Sequence, residues 1–213
     1  MKIFVGQTPW SAADPPVGLP RHTKIPRRLA VLLLAASFLL TSACRRHTAD
    51  LPDYGAVPRF QLTAQNGQPF DSTALKGKIW VADFIFTTCP GPCPRMTSQM
   101  HQVQQATWKM ADVKLVSFTV DPARDTPQQL AEYAKAHHAS PEHWYFLTGP
   151  QPDLDRLGFD VFKLNHVDGA LQHSTRFALV DKDSHIRGYY ETSQPQAISK
   201  LVSDIHALGR EAT

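Results

Sequence analysis

The segment Ile79-Trp80-Val81-Ala82-Asp83-Phe84-Ile85-Phe86, followed at once by Thr87-Thr88-Cys89-Pro90-Gly91-Pro92-Cys93, constrains this chain more than any other. Its first eight residues are nearly continuous apolar sequence, interrupted by Asp83 alone. Such a run suits a central strand covered on both faces rather than a strand with one wet side. Two prolines and a glycine then turn the chain, and Cys93-Pro94-Arg95-Met96 opens a helix with proline in its first turn. That helix is expected to run to about Lys109, with Met96, Met100, Val103 and Trp108 roughly on one face. A buried strand thus delivers two cysteines to the start of a helix.

The flanking sequence supplies the rest of an α/β domain. Phe60 to Thr63 alternates, Asn66-Gly67 is a turn signal and Phe70 follows, which predicts a short N-terminal hairpin. Val113 to Val120 reads as a second core strand. Asp125-Thr126-Pro127 reads as the start of a helix ending near His137. Trp144 to Leu147 is a third strand, and a brief helix is expected over 152–158. A loop from Asn165 to His173 leads into strands at Thr175 to Val180 and Ile186 to Tyr190, joined by a turn at 181–184. An amphipathic helix over 195–208 closes the chain. The order β–α–β–α–β, then a β-hairpin and a final helix, implies a mixed sheet with helices on both faces. That is the thioredoxin plan with an N-terminal hairpin added.

The cysteine pair carries the chemistry. Backbone N–H groups and the dipole at a helix start favour a thiolate, which predicts lowered thiol pKa values. Thiolates also select Cu(I) and other soft ions. If the pair enters the helix, this spacing puts the sulfurs one turn apart on the same side, close enough to share a metal or to close a disulfide. Two cysteines are an incomplete ligand set for most metals, so a third ligand is expected. His137, His138 and His143 cluster near a helix end as capping or solvated residues, and His173, taken alone, reads as an ordinary loop histidine. Met96 and Met100, at i and i+4 on an apolar face, read as core. Asp83 is costly in a buried strand unless paired or used. It is read equally as a proton-transfer group for the second cysteine and as a carboxylate bonded to a nearby loop. Asp121 and Asp125 read as turn and cap residues.

Charge placement separates a leader from the body. The chain has 213 residues and a formal charge of +3. Residues 1–43 hold five basic side chains (Lys2, Arg21, Lys24, Arg27, Arg28) and one acid, Asp14. Subtracting them from 22 basic and 19 acidic residues leaves 17 and 18, a net −1, which excludes a nucleic-acid footprint. Arg27-Arg28 precedes a twelve-residue run of apolar and small residues, Leu29 to Leu40, and then Thr41-Ser42-Ala43-Cys44. The run falls short of the about 20 residues a bilayer span needs and suits a secretory h-region. Small residues before a cysteine resemble a bacterial lipoprotein processing site, with Thr41 where a leucine is usual. Cys44 is therefore the expected lipidation site, residues 1–43 the leader, 44–56 a tether and 57–213 the folded domain. The Pro-rich first twenty residues are long for a leader, and translation from Val17 or Leu19 would shorten it. With Cys44 assigned to the anchor, Cys89 and Cys93 are too few for a disulfide framework, and a lone close pair serves redox or metal chemistry.

Residues 57–208 resemble the SCO/SenC family of copper proteins. Four stretches carry the likeness: Asp83 to Met96, Thr119-Val-Asp-Pro-Ala-Arg-Asp-Thr-Pro127, Trp144-Tyr-Phe-Leu-Thr-Gly149 and His173-Ser-Thr-Arg-Phe-Ala-Leu-Val-Asp181. Asp183-Ser184-His185 departs from the glycine-containing turn usual in the family. The resemblance implies a thioredoxin-like fold, a copper cofactor, Cu(I) or Cu(II), and the ligand set Cys89, Cys93 and His173. It implies a metallochaperone that helps build the CuA centre of cytochrome c oxidase subunit II on the periplasmic side of a membrane. Subunit II, other periplasmic copper chaperones and the membrane are its implied partners. The main rival is a thiol–disulfide oxidoreductase in which Cys89 and Cys93 reduce the partner's CuA cysteines. Gln172-His173-Ser174-Thr175 lacks the proline of thioredoxin-type catalysts, and the cysteines are one residue further apart, which favours metal. A peroxiredoxin is disfavoured because Phe86 stands where its loop needs Thr or Ser.

Overall fold

The computed structural model describes residues 51–164 and 174–210. Seven strands form one sheet: β1 (Gln61–Ala64), β2 (Pro69–Asp71), β3 (Ile79–Ile85), β4 (Val113–Thr119), β5 (Trp144–Thr148), β6 (Arg176–Val180) and β7 (Ile186–Glu191). Their order is β2-β1-β5-β4-β3-β6-β7. β3, β4 and β5 are parallel, with Asp83 opposite Ser117, and β6 pairs antiparallel with β3. The hairpin turns at Gly67, whose φ of 77° suits glycine, and β1 adds antiparallel to β5. The expected mixed sheet and hairpin extension are both present.

Among the described residues, four α-helices cover the sheet: α1 (Cys93–Thr107), α2 (Pro127–Ala136), α3 (Gln151–Asp155) and α4 (Ala197–Arg210). The crossovers β3–α1–β4 and β4–α2–β5 step in the same direction along the sheet. Right-handed crossovers then put α1 and α2 on the same face. There Ile79, Val81 and Ile85 pack with Met96, Met100 and Val103 of α1, Leu130 of α2, and Leu201 and Ile205 of α4. The alternate side chains Trp80, Ala82 and Phe84 face the opposite layer, with Phe60, Phe118, Leu154 and Phe162. β3 is buried along its whole length, which accounts for its apolar run.

Two expectations change. Trp108 is not on the buried face of α1: it is 51 % exposed and rests on the His143 ring, 4.8 Å between centroids. The last part of the expected tether is docked. Tyr54 N–H donates to Ile186 O and Ile186 N–H to Gly55 O, while the Arg187 guanidinium donates to the carbonyls of Leu51 and Pro52. Their donors and acceptors lie along β7, which would otherwise be an open edge. Among the described residues no helix is long and apolar enough to cross a membrane. Cys44 lies outside the described residues.

Candidate metal centre

Both cysteines sit where β3 ends and α1 begins. Cys93 is the first residue of α1 and fully buried; Cys89, in the preceding loop, is half-buried. Neither is in a disulfide, and their side chains are hydrogen-bonded to each other. The peptide groups of Phe86 serve both residues. Its carbonyl accepts the Cys89 N–H at 3.2 Å, and its own N–H donates to the Cys93 sulfur. No side chain caps the start of α1, and Pro94 removes one amide that would otherwise need a partner.

The expected lowering of the thiol pKa does not hold at Cys93. Burial pushes this thiol up, and the contact with Cys89 adds to the effect; the Phe86 N–H opposes them only in part. The helix terminus favours an anion, but desolvation of a fully buried sulfur costs more. In the metal-free protein Cys93 is therefore a thiol.

Asp83 lies on the same face of β3 as the core beneath α1. Its Oδ1 accepts the Ser117 hydroxyl at 2.6 Å, and the same hydroxyl oxygen accepts Trp144 Nε1–H at 2.9 Å. Oδ2 has no hydrogen-bond partner among the described residues. Burial, offset partly by Ser117, pushes the carboxyl up to about 7. The partner is thus a serine on the neighbouring core strand rather than a loop. A half-satisfied carboxyl held near neutrality close to a buried thiol can hold or release a proton. On the far side Tyr133 of α2 meets Thr97 of α1 at 2.8 Å, and burial pushes its phenol up to about 12.

A clamp absent from the sequence reading holds the cysteine loop. Asp125, fully buried, accepts the Thr87 N–H at 3.1 Å and the hydroxyls of Thr87 and Thr119 at 2.5 Å. Helix α2 is capped by Thr126, whose oxygen accepts the Gln129 N–H, so Asp125 is not the cap. Its signal was present in the sequence: Asp125-Thr126 offers two capping residues where a helix start uses one. Asp121 does serve the turn, bonding Arg124 at 2.7 Å. Met96 and Met100 are fully buried in the core, as expected.

Cys89, half-buried, and Cys93, buried, are therefore brought together, a donor set suited to a soft metal ion. Among the described residues no group of three His, Cys, Asp or Glu converges as a metal cage. His173 lies outside the described residues.

Comparison with known proteins places this geometry. The SCO1/SenC family matches residues 49–208. A SCO1/SenC family lipoprotein of Bacillus anthracis is 31 % identical, covers 76 % of this chain and 99 % of its own, and superposes with a TM-score of 0.69. BsSco, described as a member of the Sco family of cytochrome c oxidase assembly proteins with a disulfide switch, is 30 % identical. It covers 78 % of this chain and 99 % of its own, with a TM-score of 0.68. ScoI of Bradyrhizobium japonicum, solved with copper bound, is 25 % identical over 72 % of this chain and 99 % of its own, with a TM-score of 0.60. With a family match that spans the whole folded body, this chain belongs to the SCO1/SenC family.

Proposed function

We propose that this protein binds copper and acts in the assembly of cytochrome c oxidase, delivering the metal to the CuA centre of subunit II. The observation that carries the reading is the meeting of two thiols, Cys89 half-buried and Cys93 buried, at the end of a fully buried central strand. Copper is its cargo. Cys89 and Cys93 bind as thiolates and His173, carried in the segment before β6, is the third ligand. Three protein ligands leave a position through which a recipient's side chain can enter, so transfer proceeds by ligand exchange without turnover. The copper-bound ScoI relative and the oxidase-assembly role of BsSco support this assignment. Anchoring through a lipid on Cys44, at the outer face of a membrane and within reach of other copper chaperones, accords with the lipoprotein relative.

The test is an anaerobic copper titration of the reduced protein, followed by absorption and EPR spectra of its Cu(II) form. One tight equivalent with thiolate-to-copper charge transfer is expected. Its loss in Cys89→Ala, Cys93→Ala and His173→Ala establishes the ligands; an unchanged affinity in His173→Ala removes that residue from the set.

A second reading is favoured by Asp83. A buried carboxyl with one oxygen unpartnered, close to Cys93, suits proton transfer in a thiol–disulfide exchange that reduces the CuA cysteines of the partner. Weak copper binding together with a reversible Cys89–Cys93 disulfide active on those cysteines would select it.

A further inference from the structure

The face of α1 that leads away from the cysteines carries a second group of metal-binding side chains. His101 lies eight residues after Cys93, about 12 Å along the helix at the usual rise. Opposite it stands His138, just beyond the end of α2, with ring centroids 6.1 Å apart and planes inclined at 58°. An imidazole holds a metal at about 2.0–2.1 Å from its nitrogen, hence about 3 Å from the ring centre. Two rings at this separation can therefore share one ion when a nitrogen of each turns toward the other and the ion lies between them.

The histidine at 138 is held in place by the fold. Its N–H donates to Lys135 O and the next N–H, of Ala139, to Ala134 O, which together close α2 in a Schellman motif. The residue at that position takes the left-handed conformation, and His138 has φ 57° where glycine is usual. From α1 the buried Gln104 fastens the same turn: its Nε2 donates to His138 O at 3.1 Å and its Oε1 accepts the Ser140 N–H at 2.8 Å. A glutamine three residues from His101 thereby fixes the backbone of His138 beside it. Gln104 and Gln105 also approach the two nitrogens of His101, both at 3.4 Å. These contacts are long for hydrogen bonds, and an ion at either nitrogen displaces the glutamine amide that approaches it. His137 feels the same neighbours: after burial, repulsion from His138 and His101 holds its pKa below the ordinary imidazole value.

We propose that His101 and His138 form a second metal site, a two-imidazole surface site for a divalent ion with Cu(II) preferred, separate from the cysteine centre. The two rings supply two ligands and water completes the coordination, in keeping with the absence of any three-residue cage among the described residues. Nitrogen donors accept Cu(II) and Zn(II), and Cu(II) binds the more strongly at a given site of this kind. The site can therefore hold Cu(II) between α1 and the turn that closes α2, apart from the cysteines at the start of α1.

The experiment uses the chain carrying Cys89→Ser and Cys93→Ser, so that the thiolate centre and the reading built on it play no part. Cu(II) is added in substoichiometric steps and its paramagnetic broadening is followed in amide NMR spectra, alongside a Cu(II) titration. Broadening confined first to residues around 101 and 138–140 is expected, with affinity weakened at least about tenfold by His101→Ala or His138→Gly. His138→Gly separates ligand from scaffold, because glycine suits φ 57° and should raise the unfolding midpoint while abolishing the site. His143→Ala and His206→Ala serve as controls and should leave affinity unchanged. Broadening centred on other histidines, or affinity in His101→Ala or His138→Gly equal to that of the parent, would overturn the proposal.

Discussion

Asp125 accepts the backbone N–H of Thr87 at 3.1 Å, and its other oxygen accepts the Thr87 hydroxyl, across 38 positions of sequence. The carboxylate that opens the approach to α2 therefore fixes the loop that presents Cys89. Asp125→Ala leaves that N–H and two hydroxyls without their acceptor in a buried place. It is expected to cost about 3 kcal/mol of stability, read by denaturant unfolding. Copper affinity should fall with it, whereas Asp125→Asn, which keeps an acceptor oxygen, should recover part of both. Equal stability of Asp125→Ala and wild type would show the clamp to be idle.

Asp83 makes stability depend on pH in a particular direction. Its carboxyl titrates near 3.8 in the unfolded chain and near 7 in the folded one, so between these values the native state binds more protons. Its contribution is fully present below about pH 4 and is lost as the pH rises through about 7. The stability of wild type relative to Asp83→Asn should fall across that window, by up to about 4 kcal/mol on a three-unit shift. Unfolding curves of both proteins at several pH values measure the difference, and a flat difference would contradict the buried, half-satisfied carboxyl.

As the proposed copper ligand, Cys93 has to lose its proton first, and burial holds that proton in place. Copper loading is therefore expected to release protons, and apparent affinity should climb as pH rises, by about tenfold per unit for each proton displaced. A weakly buffered titration with an indicator dye counts the protons. Cys93→Ser should release fewer, and a pH-independent affinity would mean that the ligands are already ionised in the free protein.

Ser184 occupies the turn between β6 and β7 with φ 65°, the conformation that the family's usual glycine would adopt without strain. A side chain there costs about 1–2 kcal/mol, part of which glycine returns as unfolded-state entropy. Ser184→Gly is expected to stabilise the fold by about 0.5–1 kcal/mol with copper affinity unchanged. Thermal or denaturant unfolding of the single variant tests it, and a loss of stability would point to a contact made by the Ser184 side chain.

Local signals determined a great deal of this protein from its sequence. The double-sided apolar run of β3, the Asn66-Gly67 turn, the proline at the start of α2 and the placement of two cysteines at a strand-to-helix junction depend on neighbours in the chain. Each appears in the structure within a residue or two of its expected bounds. Tertiary structure alone decided the rest. Whether the helix terminus or burial governs the Cys93 thiol depends on how deeply α1 sits in the core, which no local pattern states. The partner of Asp83 is a serine on another strand, Asp125 clamps Thr87 rather than capping α2, and Trp108 faces out onto His143. Leu51, Pro52, Tyr54, Gly55 and Val57 found hydrogen bonds on β7 and the turn before it, more than a hundred positions later. Propensity and periodicity report which backbone a segment prefers. Desolvation and long-range hydrogen bonding depend on which segments come together, so the chemistry of the site emerges only when the chain is folded.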